Sequence, residues 1–394
     1  MKTPVKFALL GGVVMFAASA PMAQQATAPK ARYNMDVGTV TGMGAMGSGM
    51  GGAMAMAFGG GGGSKVAHEV RLRLGTSLTP DKGGPKADHF PQPGMKVGKS
   101  LPLITPERSP VEDMPAGFEP PKGRLLLFWG CGAHAPKGQP VIIDFAKVAK
   151  GQMPPGLMSV RVPADRGPSV SNSKTYGEWP NGKNGKQPQA GSSLIGEHRV
   201  AGNYTPEIKF ALAQDFMGGL TARTTAVAGA TVLSWNALPV ATGYHAWAMG
   251  GRMDQQRGEM GDMVWWSSSS AKEFGGGLWD WLSPATVQRL IGEKVVMPPS
   301  QTSCAIPAEV RAAAPDFMMA NLYAYGPEAN FAYPPKPPTG VWNVEWTTRV
   351  RYRSMTSLMV GGPPGMGGMM GGGAPQGEPR CKPSVFGAVM GRGC

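Results

Sequence analysis

Charge is scarce in this 394-residue chain. Charged side chains make up 16% of it, and 25 acids are outnumbered by 38 Lys and Arg. So dilute a charge leaves little material for long helices laced with ion pairs. Histidine is rarer still. His68, His89, His134, His198 and His245 form neither an HExxH motif nor any i, i+4 pair, so a zinc-hydrolase site has no local signature. A Gly-x-Ser-x-Gly elbow is also missing, and Gly191-Ser192-Ser193 lacks the strand, turn and helix that such an elbow needs. The GxGxxG spelled by Gly42 to Gly47 follows no predicted strand and precedes no predicted helix, and the glycine background makes the match cheap, which argues against a nucleotide reading. Four cysteines, Cys131, Cys304, Cys381 and Cys394, match no CxxC spacing for metal or redox work. Nor is there a good membrane span. The run Phe7–Ala20 is short and broken by Gly11 and Gly12.

What that run does fit is a secretory signal peptide. Lys2 and Lys6 precede it, and small residues from Ala18 to Ala23 follow it. Pro21 disfavours cleavage after Ala20, so residues 1–23 are expected to be removed and the mature chain to begin at Gln24. The expected location is the periplasm, the cell surface or the medium. Export puts the four cysteines in an oxidising compartment, where two disulfides are expected, with three possible connectivities. Cys381 with Cys394 would staple the tail, and Cys131 with Cys304 would tie the two halves of the chain together.

Glycine (59), proline (38) and methionine (27) are abundant, and they divide the chain. Residues 24–65 and 361–394 are Gly/Met-rich and are expected to be disordered arms, because ordering so much glycine is costly. Between them, residues 66–205 are expected to form a β-rich domain with a Pro-rich connector, and 206–360 a second β domain. Alternation of Val70, Leu72 and Leu74 with Arg71 and Arg73 marks a half-buried strand. Apolar runs at Arg124–Trp129 and Val141–Phe145 predict further strands. Asp262–Trp266 and Asn321–Tyr325 do the same, while residues 163–193 read as a long exposed loop. Helical spacing of Val287, Leu290 and Ile291 after Ser283 predicts a capped helix over Pro284–Lys294. The clearest strand is Val341–Arg353, with Trp342, Val344, Trp346, Thr348, Val350 and Tyr352 on one face.

Within the second domain, Thr231–Ala248 reads as strand, Pro-containing turn, strand. Its Trp235, Asn236, Pro239, Ala241, Gly243 and Tyr244 resemble the B and C strands of a fibronectin type III-like sandwich. That resemblance implies an immunoglobulin-like module over roughly 221–360 and attaches no activity to it. Taken whole, the chain resembles exported bacterial proteins. The expected fold is therefore mainly β: two sandwich-like domains, the second immunoglobulin-like, between Gly/Met-rich arms.

Three functional classes fit these features. The preferred one is a non-catalytic exported protein that binds or scaffolds envelope components, with no cofactor. A net charge of +13 favours anionic partners, polysaccharide or lipid phosphate, and export makes nucleic acid the unnatural choice. Arg349, Arg351 and Arg353 share the other face of the Val341–Arg353 strand as a row of cations for such a partner. The same row would serve as a charged edge guard, or as an internal stack of Arg on Trp. Trp279 and Trp281 are the better candidates for an exposed aromatic platform, against a core reading. A second class is copper handling by thioethers of the Met-rich arm, although Thr41–Ser64 lacks His and Asp; self-association through the arms is the alternative there. A third is a hydrolase assembled from distant residues. Cys131 beside His134 would be its thiol and base, against a disulfide half-cystine on a turn.

Overall fold

A computed structural model describes residues 24–25, 27–46, 66–106, 123–148, 150, 152, 161–162, 167–182, 185–254, 259–274 and 276–361. Residues 47–64 of the copper tract and the pair Cys381 and Cys394 lie outside these residues. The fold is mainly β. In chain order the strands are β1 (Gln24–Gln25), β2 (Ala31–Gly42), β3 (Ala67–Thr76), β4 (Ala87–Phe90), β5 (Leu101–Pro102) and β6 (Arg124–Trp129). There follow β7 (Val141–Asp144), β8 (Thr175–Trp179), β9 (Gly196–Gly202), β10 (Thr205–Leu212), β11 (Ala222–Val227) and β12 (Ala230–Trp235). The last six are β13 (Gly243–Asp254), β14 (Glu259–Ser267), β15 (Ser303–Ile306), β16 (Phe317–Tyr333), β17 (Val341–Trp342) and β18 (Trp346–Met359).

Nine of these make one sheet, in the order β7-β6-β14-β13-β16-β18-β2-β3-β8. Beside it lie a four-stranded sheet, β10-β9-β4-β5, a three-stranded sheet, β11-β12-β15, and a two-stranded parallel pair, β1-β17. One core joins Tyr33, Leu72 and Leu74 of the large sheet to Val200, Ile208 and Phe210 of the four-stranded one. The same core takes in Leu233, Trp235 and Ile306 of the three-stranded sheet. On the opposite face a second core packs Trp247, Trp265 and Tyr325 under the helix Pro284–Gly292. That helix begins as expected: the Ser283 hydroxyl accepts from Thr286 N–H at 3.2 Å.

Three expectations about organisation are corrected. The boundary at 205/206 falls inside the β9–β10 hairpin, and the nine-stranded sheet sets the later strands β14, β13, β16 and β18 between β7-β6 and β2-β3-β8 from before it. Local composition carries no trace of such long-range pairing. Secondly, part of the supposed N-terminal arm is an interior strand. In β2, Tyr33, Met35 and Val37 are buried in the core, and the strand runs parallel to β18 and antiparallel to β3. The loop expected at 163–193 likewise contains β8, the last strand of the sheet.

Cys131, in the turn after β6, is disulfide-bonded to Cys304 on β15, 173 residues away. The pairing expected between the two halves is present. It also takes Cys131 out of the thiol–base reading, and His134 instead lies 3.0 Å from Glu309.

Candidate functional site

Period two along β18 puts Arg349, Arg351 and Arg353 on one face, opposite Val350 and Tyr352. The strand is not an edge, however. It lies between β16 and β2, which removes the edge-guard reading. The register sets Arg353 beside Gly38, Arg351 beside Asp36 and Arg349 beside Asn34. Across β2, Asp36 lies opposite Arg71 of β3 and Gly38 opposite Glu69 of β3, so acids and bases of three strands meet on this face.

Arg351 and Arg353 are consumed by that meeting, which corrects their assignment as residues for a polyanion. Asp36, fully buried, accepts from Arg351 Nε at 2.7 Å and from Arg73 Nη2 at 2.9 Å. Arg351 also donates to the carbonyl of Trp281. Arg353 donates to Glu69 from Nε at 3.1 Å and from Nη2 at 2.8 Å, and to the carbonyl of Trp279. Its guanidinium lies 3.5 Å from the centroid of the Trp281 ring, the internal stack of Arg on Trp. Burial opposes its charge, but Glu69, Tyr323 and Asp280 outweigh that and hold its pKa above the usual arginine value.

The tryptophan platform is corrected too. Trp281 is buried and donates from Nε1 to the Val37 carbonyl at 2.8 Å. Trp279 packs on Trp247 and Trp265, with centroids 5.2 and 5.5 Å away.

Arg349 has a different setting. It lines a groove of about 760 Å³ at the end of the β16–β18 ladder, together with Arg32, Lys209 and Lys336. No carboxylate is among the groove's described lining residues. Arg32 donates through Nη2 to the backbone and side-chain oxygens of Asn172, at 3.0 and 2.9 Å, which are neutral acceptors. With its amide oxygen turned toward Arg349, Asn34 accepts from it at 2.7 Å. Lys209 is shared with Glu207 at 2.8 Å. Aromatic residues complete the lining. Tyr333, half exposed, stacks on buried Trp346 with centroids 6.0 Å apart and planes 16° apart. Trp342 is held by a bond from Nε1 to the Pro334 carbonyl at 2.9 Å, and the Lys336 ammonium is 5.9 Å from its ring centroid. Sequence reading singled out Arg349 and missed Arg32, Lys209, Lys336, Tyr333 and Trp342. They come from four separate segments, and only the fold brings them together.

Two of the five histidines also meet, deep in the core. Tyr33 Oη is 2.9 Å from His89 Nδ1, His89 Nε2 is 3.2 Å from His198 Nδ1, and His198 Nε2 is 2.8 Å from the Leu194 carbonyl. The carbonyl accepts only, so His198 Nε2 carries hydrogen and His198 Nδ1 accepts from His89. His89 Nδ1 then accepts from Tyr33. Both imidazoles are neutral and fully engaged, the arrangement of a satisfied core rather than of a base waiting for a substrate. Among the described residues no group of three or more His, Cys, Asp or Glu is placed to hold a metal ion, and no helix is long and apolar enough to cross a membrane.

Comparison with known proteins adds little to this geometry. No family's sequence profile and no curated protein matches the chain. Among solved structures, the Fcho1 Mu homology domain of Danio rerio with bound Eps15 peptide aligns over 86% of this chain and 98% of that one. Its identity is 8% and its TM-score 0.19, too low to carry any argument.

Proposed function

We propose that this chain is an exported, non-catalytic binding protein that holds an anionic envelope component, polysaccharide or lipid phosphate, in the groove beside Arg349. The observation that carries this reading is a groove lined by four cations, Arg32, Lys209, Lys336 and Arg349, with no carboxylate among its described lining residues. Such a concavity concentrates positive potential where an anionic chain can approach. The signal-like residues 1–23 and the cross-chain disulfide support export.

The fibronectin type III-like reading of the second half belongs to the same proposal. An immunoglobulin-type sandwich places strands A, B and E in one sheet and C, F and G in the other, with C′ added beside C in some members. The order β11-β12-β15 and the run β14-β13-β16-β18 match those two sheets when β12 is strand B and β13 strand C. Trp235 and Tyr244 lie in their shared core with ring centroids 5.5 Å apart. On this reading the module is a scaffold whose sheet continues into β2, β3 and β8.

Retention on immobilised heparin tests the binding site. Wild-type protein is expected to elute earlier as salt rises, since exposed charges are screened beyond about 10 Å at 0.1 M. Replacing Arg32, Lys336 and Arg349 together by Ser is expected to lower the eluting salt concentration with the circular dichroism spectrum unchanged. Co-elution of a folded triple variant with wild type at every salt concentration overturns the assignment of this groove.

A further inference from the structure

We infer that the occupant of this groove is an acidic polysaccharide, its sugar rings laid on Tyr333 and Trp342 and its acid groups paired with Arg349, Arg32 and Lys336. The inference rests on the anion-binding reading above and names the ligand class.

Three features select the class. The first is charge density. A strand row of three arginines would present a cation every 6.6–6.8 Å, the spacing of a densely charged polymer. Arg351 and Arg353 are withdrawn from that row by Asp36, Glu69 and Trp281, and Arg349 alone of the three lines the groove. A phosphate polymer carries a charge on every unit and gains most from an unbroken row. An acidic polysaccharide spaces its acids among neutral hydroxyls.

The second feature is the chemistry around Arg349. In register it lies between Asn34 on β2 and Asn330 on β16, and Thr347 lies between Arg32 and Ala332. All of these residues line the groove. Cations therefore alternate with neutral amides and a hydroxyl across the sheet face. Amides and hydroxyls both donate and accept, which suits sugar hydroxyls better than phosphate oxygens, which only accept.

The third feature is aromatic. Tyr333 is 52% exposed and backed by Trp346, and Trp342 is pinned through its indole N–H, so both rings are presented in fixed orientation. Apolar ring faces bury the C–H faces of pyranoses while polar edges stay available, and their rigidity keeps the ordering cost of binding low. A lipid headgroup would use the cations and leave these rings without a role.

The test is calorimetric titration of the full chain with an oligogalacturonate, and in parallel with inorganic polyphosphate, a single-stranded RNA oligomer and phosphatidylglycerol vesicles. The oligogalacturonate is expected to bind more tightly than the other three. Trp342→Ala and Tyr333→Ala are each expected to weaken it about tenfold while leaving polyphosphate unchanged, with Trp342→Phe restoring most of the loss. Polyphosphate or vesicles binding at least as tightly, with the aromatic variants silent, overturns the polysaccharide class and leaves the anion site standing. RNA binding more tightly, and losing affinity in the aromatic variants, overturns it in favour of base stacking. Should none of the four bind, or should Arg349→Ser change nothing for any of them, both readings fall together.

Discussion

Asp36 is the residue on which the polar face of the large sheet depends. It is fully buried and pairs with two buried arginines, Arg73 and Arg351. Removing one partner of such a cluster leaves charge uncompensated in the interior, which costs about 3–5 kcal/mol, more than the cluster as a whole is worth against a well-packed apolar substitute. Asp36→Ala is therefore expected to lower the urea midpoint sharply. A variant as stable as wild type would mean that water reaches the two guanidiniums. The buried histidines act at the same scale through pH. Burial lowers the pKa of His198, and burial together with the neighbouring His198 lowers that of His89 further. Burial brings His245 down to about 4. In the unfolded chain these groups take up protons near pH 6.5, and in the folded chain they do so only lower. Their contribution to stability is thus complete above about pH 6.5 and is lost as the pH falls, for His245 down to about 4. Each contributes a slope of up to about 1.4 kcal/mol per pH unit across its window. Urea midpoints between pH 8 and 4.5 check this, and His245→Gln is expected to flatten the curve. A pH-independent midpoint would reject the neutral Tyr33–His89–His198 chain.

At the scale of elements, legibility followed the reach of the interaction. The alternation of Trp346, Thr348, Val350 and Tyr352 with the arginines was readable because period two is local, and so was the Ser283 cap, three residues from its donor, Thr286 N–H. The same alternation is present in β2, where Tyr33, Met35 and Val37 face the core and Arg32, Asn34 and Asp36 face the other side. It was masked by the Gly/Met composition of the segment that follows. What no local pattern reveals is the fate of the arginines. The charges that neutralise Arg351 and Arg353 stand 315 and 284 residues away, at Asp36 and Glu69. The groove is illegible for the same reason. Arg32 and Arg349 lie on adjacent strands only because β2 pairs with β18 in parallel across most of the chain.

For the whole molecule, the question is whether the two halves of the chain behave as two units. The nine-stranded sheet answers it physically. β18 is the hinge of the arrangement, bonded on one flank to β16 of the C-terminal half and on the other to β2 of the N-terminal half. The halves cannot part without exposing the backbone groups of two ladders, β18 with β2 and β14 with β6. The Cys131–Cys304 disulfide adds a covalent tie between β15 and the β6 turn, on the far side of the sheet order from β2. Closing so long a loop restricts the unfolded chain by about 5 kcal/mol in the chain-entropy picture. We therefore expect one calorimetric transition for the oxidised protein, with tryptophan fluorescence and far-ultraviolet circular dichroism melting together. Replacing both Cys131 and Cys304 by Ser is expected to lower that single transition without splitting it, because the sheet, rather than the disulfide, carries the coupling. Two resolved transitions in the oxidised protein would show that the β16–β18–β2 ladder parts before either core melts, and that the boundary expected near residue 205 has energetic meaning after all.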